Sequence, residues 1–159
     1  MQVEILPQLA CLCASLNRAT RSVTHLYERA LETSVPRFTL LYLLGQQSMV
    51  QAQIAELLTI DRTTLTRTLA SLERQGLIRA APGKDKRERR WSLTSDGRKA
   101  LARILPKWEK AQARFRKRLG AERWEVLIAE LTNVAAAARM RATDGVDRFR
   151  PRKTAPPRL

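Results

Sequence analysis

The stretch from Asp61 to Gly76 constrains the fold most, because its side chains divide into two unlike sets at helical spacing. Leu65, Leu69 and Leu72 recur at i, i+4 and i+7, so a helix places them on one buried stripe. The opposite face is short, hydroxyl-bearing and basic, with Thr63, Thr66, Arg67, Ala70 and Arg74. Asp61 is suited to cap the helix start, and Gly76 is suited to end it. The pattern predicts one capped amphipathic helix whose outer face carries no acid.

Two short elements flank this helix and complete a larger unit. Residues 51–58 predict a short helix with an inward apolar face, made of Ile54, Ala55, Leu57 and Leu58. Residues 59–60 leave room only for a tight turn, so the two helices predict a helix-turn-helix. Residues 77–81 and 89–94 alternate as strands around a glycine-containing turn at 82–88. This hairpin adds a wing to the helix-turn-helix.

Long apolar stripes predict further helices at both ends of the chain. They cover residues 4–33, 37–46, 96–119 and 121–140, and Pro106 is expected to kink or break the third. The helix at 37–46 is apolar enough to be buried. The first helix and the last two need long partners, which a two-fold dimer with interleaved ends supplies.

The predicted fold class is therefore mostly α with a small β-hairpin wing: a winged helix-turn-helix with N- and C-terminal dimerisation helices. The DNA-binding unit is assigned to residues 36–95. The helical dimerisation region is assigned to residues 1–35 plus 96–142. Residues 143–159 are rich in proline and arginine and predict a basic disordered tail.

The charge of the chain restricts its partners. Lys and Arg number 30 against 15 Asp and Glu, a formal net charge of +15, which attracts polyanions. Nucleic acid is the first candidate and an anionic membrane surface the second. The sequence has neither an apolar run of about 18 residues nor a signal peptide, which indicates a cytoplasmic protein without a membrane span. One histidine, no glycine-rich phosphate loop and no paired carboxylates argue against an enzyme, so no catalytic residue, metal or cofactor is expected.

The basic residues concentrate where the winged unit would meet DNA. Residues 61–99 hold 11 Lys and Arg against 5 acids. Threonines and an arginine near a helix N-terminus can reach base edges in the major groove, and hairpin cations can follow the backbone. The hairpin charges alone would also fit a solvated strand edge that resists aggregation. The predicted double-stranded DNA contacts are Arg62, Thr63, Thr64, Thr66, Arg67, Arg74, Lys84, Lys86, Arg87 and Arg89.

The order of elements and several local strings resemble the MarR family of bacterial transcription regulators, over roughly residues 8 to 142. The strings are specific in combination and weak singly. They are Asp61-Arg62-Thr63-Thr64-Leu65-Thr66-Arg67, Leu72-Glu73, Gly76-Leu77-Ile78, Asp85-Lys86-Arg87, Leu93-Thr94 and Gly97.

This resemblance implies a homodimer on a pseudo-palindromic operator, with recognition helices in successive major grooves and wing tips in minor grooves. It implies that Arg87 is the wing-tip residue and that Asp85 orients the wing by pairing with a nearby arginine. It also implies repression that a small aromatic or phenolic effector releases. A nonspecific architectural DNA-binding protein is the alternative, which the acid-free outer face of the recognition helix argues against.

Two groups of residues each have a functional and a structural explanation. Arg18, Arg21 and His25 share one face of the first helix and could bind the carboxylate of an effector, although a solvated polar face is the simpler explanation of them. Some relatives of the family sense oxidants through an N-terminal cysteine with tyrosines nearby.

Cys11 and Cys13 lie at the corresponding end of this chain, and Tyr27 and Tyr42 are available. If both cysteines lay on one helix, their side chains would diverge by about 200° and could not easily bond each other. Because free cysteine is often buried and both thiols flank an apolar stripe, packing is the competing interpretation.

Overall fold

The computed structural model describes residues 11–83 and 88–139 and confirms the predicted fold class. The described residues form six helices and a small three-stranded sheet. In chain order the elements are α1 (Leu12–Leu31), α2 (Val35–Gln46), β1 (Met49–Val50), α3 (Gln51–Leu58), α4 (Arg62–Arg74), β2 (Ile78–Pro82), β3 (Arg89–Leu93), α5 (Ser95–Leu119) and α6 (Ala121–Arg139). The predicted helices and the hairpin agree with these bounds within a few residues, apart from the start of the first helix, because residues 1–10 lie outside the described part. In the described part of the chain, no helix is long and apolar enough to cross a membrane.

The chain forms two compact units, one up to Arg114 and one from Phe115 onward. The first unit contains the helix-turn-helix, the sheet and their common core. Its fully buried side chains are Leu40, Leu41, Ile54, Leu65, Leu69, Leu72 and Ile78. In the second unit Phe115 and Trp124 stack edge to face at 5.8 Å between ring centroids, across the turn at Gly120.

The helix α4 forms as its sequence pattern predicts. Leu65, Leu69 and Leu72 are at most 1% exposed, so the apolar stripe anchors the helix to the core. The Asp61 carboxylate accepts a hydrogen bond from the Thr64 amide at 2.8 Å and caps the helix start. Gly76 has a φ of 68°, which only glycine adopts without strain, and it turns the chain into β2.

The short helix α3 differs from the prediction at one residue. Ile54 is buried and Ala55 and Leu58 are half-buried, but Leu57 is 54% exposed, so its assignment to the inward face was wrong. At about 100° per residue, Ile54, Leu58 and Ala55 span one sector of the helix. Leu57 falls about 100° away from the middle of that sector.

The sheet contains one strand more than the predicted hairpin. Its strand order is β1-β3-β2, all antiparallel, and β1 pairs Met49 with Trp91. The hairpin register pairs Ile78 with Leu93 at the base. Trp91 is 3% exposed in the central strand, and its indole Nε1 is buried without a hydrogen-bond partner among the described residues.

The junction between the wing and α5 is tightly built. Thr94 caps α5 by accepting from the Gly97 amide at 3.0 Å, and its hydroxyl donates to the Gly76 carbonyl at 2.6 Å. A Cβ on Gly97 would lie 1.9 Å from the Leu77 carbonyl oxygen, so only glycine fits there. Pro106 was expected to kink or break this helix. The helix continues through Pro106, so the break does not occur.

Candidate nucleic-acid interface

The predicted contact residues of α4 all lie on its exposed face. The helix is held by its three leucines below and by Asp61 at its start, so these side chains project from a fixed frame. The exposed predicted residues are Arg62, Thr63, Thr64, Thr66, Arg67 and Arg74. The side chain of Arg74 curls back on the helix, and its Nε donates to the Ala70 carbonyl at 3.4 Å.

Two threonine hydroxyls of α4 are engaged by the helix itself. Thr66 Oγ1 donates to the Arg62 carbonyl at 2.7 Å, and Thr68 Oγ1 donates to the Thr64 carbonyl at 2.9 Å. Such bonds to the carbonyl four residues earlier are common for threonine in helices. Thr66 Oγ1 also accepts from the side-chain amide of Gln51 at 2.7 Å.

The Asp61 cap stays ionised to a lower pH than an ordinary aspartate. Hydrogen bonds from Thr64, first from its side chain and then from its backbone amide, hold the pKa of Asp61 below its ordinary value. The carboxylate is therefore charged wherever the protein would bind DNA. Its negative charge satisfies the amides at the helix start and is favourable near the positive end of the helix dipole.

On the wing, Arg89 contacts α4 and is also exposed to solvent. Its guanidinium lies 3.0 Å from the Glu73 carboxylate and 4.8 Å from the centroid of the Trp91 ring, while 61% of the side chain stays exposed. The Arg89 side chain therefore connects β3 to α4 and still presents its positive charge to solvent. Arg90 donates to the Ser48 carbonyl at 2.7 Å. The remaining predicted wing residues, Lys84, Lys86 and Arg87, and with them Asp85, lie outside the described residues.

A groove of about 400 Å³ lies between α4 and the wing. We call it the reading groove. It brings together the start of α3, the start of α4 and the base of β3, which are distant in sequence. Its lining residues are Val50, Gln51, Ala52, Arg62, Thr66, Glu88 and Arg89. Gln51 and Ala52 were not predicted as site residues, because a glutamine at a helix start carries no distinctive sequence signal.

Two smaller cationic clefts share Arg37. The first, about 300 Å³, lies beside α4 and includes Arg67, Thr68 and Gln75. The second, about 330 Å³, lies beside α5 and includes Arg103 and Lys107. Lys107 also pairs with Glu32 at 2.7 Å. Sequence reasoning missed these clefts because their cations are far apart in the chain and meet only in the fold.

The tentative effector residues Arg18, Arg21 and His25 lie on the exposed surface of α1. Among the described residues they make no hydrogen bond or ion pair, so their arrangement matches a solvated face and leaves their role untested. Nearby, Tyr27 donates a hydrogen bond to Gln112 of α5, and burial raises the pKa of its hydroxyl.

The two cysteines are both exposed. The expectation that they pack against the apolar stripe is therefore wrong within a single chain. Cys11 precedes α1 and has extended backbone angles, with φ −64° and ψ 124°. The helical divergence expected between the two thiols thus does not apply, because only Cys13 is in the helix.

Comparison with known proteins identifies the family. Residues 33–88 match the model of the MarR family. The M. tuberculosis transcriptional regulator MosR, solved in complex with DNA, is 34% identical with a TM-score of 0.71. The match covers 82% of this chain and 99% of the MosR chain. The chain belongs to the MarR family of transcriptional regulators.

Other MarR-type structures share the architecture. CouR, a transcriptional repressor bound to a 23-mer DNA duplex, is 25% identical with a TM-score of 0.75, over 85% of this chain and 99% of its own. PcaV from Streptomyces coelicolor, solved with its natural ligand, shares the fold with a TM-score of 0.77 at 21% identity, over 86% of this chain and 100% of its own. No protein of curated function matches the sequence.

Proposed function

We propose that this MarR-family chain is a homodimeric repressor that binds a pseudo-palindromic operator through α4 in the major groove. The observation that carries the proposal is the exposed face of α4. It carries threonines and arginines on a helix fixed by three buried leucines and a cap, and the one acid of the helix, Glu73, is paired with Arg89. Such a face can pair with base edges and phosphates, and a rigid support keeps its register.

Arg67 is the strongest candidate for direct base recognition on this face. It is exposed on the second turn of α4, and a guanidinium can bind the guanine O6 and N7 in a bidentate way. Arg62 and Arg89 flank the reading groove, where their charges suit phosphates. MosR and CouR have both been solved with DNA, which supports this assignment.

The dimer is supported by the apolar surface of α6. Val126, Leu127, Ile128 and Leu131 are between 38% and 58% exposed in the single chain. Burying apolar surface contributes roughly 25 cal/mol per Å², so a second copy covering this helix would be favourable. Sedimentation equilibrium at micromolar concentration should give the dimer mass. A monomer would contradict the proposal.

The central experiment is selection of bound duplexes from a random library, followed by affinity measurements on the selected site. Arg67→Ala should change the preferred bases, because a bidentate contact is worth about 1–3 kcal/mol of discrimination. Arg29→Ala is the matched control, since it removes the same charge from an exposed position on α1. Equal affinity of the wild type for all sequences would favour the architectural alternative.

Release by an effector is the regulatory part of the proposal. A small aromatic or phenolic carboxylate would find hydrogen-bond donors at Arg18, Arg21 and His25 on α1, or in the α5 cleft formed with Arg103 and Lys107. Release requires that the ligand prefer a dimer geometry that does not match the operator. Salicylate and 4-hydroxybenzoate should raise the melting temperature of the free protein and weaken operator binding. The variants Arg18→Ala/Arg21→Ala and Arg103→Ala/Lys107→Ala would locate the site.

Thiol-based oxidant sensing is a second candidate, favoured by the exposure of Cys11 and Cys13. Peroxide should then add mass or form a disulfide at these residues and weaken operator binding. A Cys11→Ser/Cys13→Ser variant should bind the operator normally and be insensitive to peroxide. Unchanged binding by the oxidised wild type would exclude this candidate.

A further inference from the structure

The hydroxyl group of Thr66 is already engaged within the protein, although an exposed threonine would be expected to offer its hydroxyl to DNA. A hydroxyl has one proton and two lone pairs. The proton of Thr66 Oγ1 is donated to the Arg62 carbonyl, and one lone pair accepts from Gln51 Nε2, both at 2.7 Å. No donor is left for a base. Besides this hydroxyl, the side chain of the exposed residue Thr66 carries one methyl group.

Gln51 is the residue that fixes this arrangement. It is the first residue of α3, is half-buried and lines the reading groove beside Arg62. Its side-chain amide reaches across to α4, 15 residues further along the chain. With the hydroxyl held from two directions, rotation of the Thr66 side chain would break two hydrogen bonds, so its methyl stays in one position.

We propose that Gln51 and Thr66 act as one specificity-determining pair, in which Gln51 holds the Thr66 methyl against the 5-methyl group of a thymine in the major groove. Apolar contact with that methyl is a recognised way to read thymine. Gln51 is thus a positioning residue. The inference rests on the proposed function, because it requires α4 to lie in the major groove of a preferred site.

The test replaces each thymine of the selected operator by deoxyuridine, which removes the 5-methyl group and keeps base pairing. For the wild type, one position in each half-site should lose about 3- to 5-fold in affinity, the contribution of one buried methyl. Thr66→Ser lacks the methyl and should show no loss there. Thr66→Val keeps a methyl and lacks the hydroxyl, so it should retain the loss.

Gln51→Ala separates positioning from contact. Without Gln51 the Thr66 side chain has one restraint fewer, so the deoxyuridine penalty should shrink. Adding Thr66→Val to Gln51→Ala should restore the penalty, because valine presents a methyl at either branch. A purely structural role for Gln51 would not give this rescue.

The chain supplies matched controls. Thr68 makes the same bond to the helix backbone, and no side-chain amide bonds to it among the described residues, so Thr68→Ser should leave the penalty unchanged. Gln46→Ala, at the exposed end of α2, controls for loss of a glutamine. Thr66 is exposed, so melting curves should show its variants folded.

The inference is overturned if wild-type binding is insensitive to deoxyuridine at every position, or if Thr66→Ser keeps the full penalty. It is also overturned if Gln51→Ala is folded and leaves the penalty unchanged. If the wild type selects no preferred sequence, the proposed function itself fails. These results are distinguishable because the selection step precedes the substitutions.

Discussion

Replacing Gly97 by alanine should destabilise the winged unit strongly. The new Cβ would lie 1.9 Å from the Leu77 oxygen and 2.9 Å from the Leu77 carbonyl carbon. Reaching an ordinary contact of 3.4 Å requires a backbone shift of more than 1 Å. That oxygen cannot move freely, because it accepts from the Thr94 amide at 3.0 Å.

The expected cost combines three effects. Overpacking a rigid site costs about 1–3 kcal/mol. Loosening two hydrogen bonds, from the Thr94 amide to Leu77 and from the Gly97 amide to Thr94, adds about 2 kcal/mol, while the better helix propensity of alanine returns at most about 1 kcal/mol. We therefore expect Gly97→Ala to lower the free energy of unfolding by about 2–5 kcal/mol, out of the roughly 5–15 kcal/mol typical of a domain.

Urea denaturation followed by circular dichroism would measure this change against two other glycines. Gly76→Ala meets open space but has a φ of 68°, so it should cost about 1–2 kcal/mol. Gly45→Ala would approach the end of the flexible Leu101 side chain at 2.6 Å, which can move away cheaply. A Gly97→Ala variant within about 1 kcal/mol of the wild type, or less affected than Gly45→Ala, would refute the reasoning.

Three further predictions concern single side chains. The pKa of Asp61 is lowered in the folded state. The contribution of Asp61 to stability is therefore complete above its ordinary pKa of 3.8 and is lost as pH falls through the folded value. Asp61→Asn caps the helix without titrating, so melting curves recorded at different pH should lose this part of the acid dependence. Burial raises the pKa of Tyr27, so stability should fall as pH rises from its ordinary value of 10.0 towards the folded one. Tyr27→Phe should flatten that alkaline loss and cost about 1 kcal/mol at neutral pH through the bond to Gln112, whereas an unchanged alkaline slope would contradict it. Glu73→Ala removes an exposed ion pair with Arg89 and should change the unfolding free energy by less than about 1 kcal/mol; a larger loss would mean that the pair is coupled to the Trp91 core.

The local patterns of the sequence predicted most of the winged unit. The leucine spacing of α4, Asp61 at its start and Gly76 after its end each act over a few residues, so the sequence alone carries them. The hairpin was predicted from the alternation of side chains along residues 77–81 and 89–94. The strand β1 was missed because two residues are too short to show a period.

The site was predicted less completely, for a physical reason. Thr66 was predicted as a DNA contact, but the hydrogen bonding of its hydroxyl also depends on Gln51, which reaches it only through the fold. The shared position of Arg37 between two clefts depends on packing in the same way. The exposure of Cys11 and Cys13 could not be predicted, since an apolar stripe does not show where its helix begins.

The burial of Trp91 gives the wing a built-in optical probe. Its ring is 3% exposed and has the Arg89 guanidinium 4.8 Å from its centroid. Trp108 and Trp124 are more exposed, so the bluest component of the tryptophan emission should come from Trp91. A displacement of β3 from the core would expose Trp91 to water and shift its emission to longer wavelength. Fluorescence of the unlabelled protein can therefore follow wing movement in solution while DNA or a ligand is added.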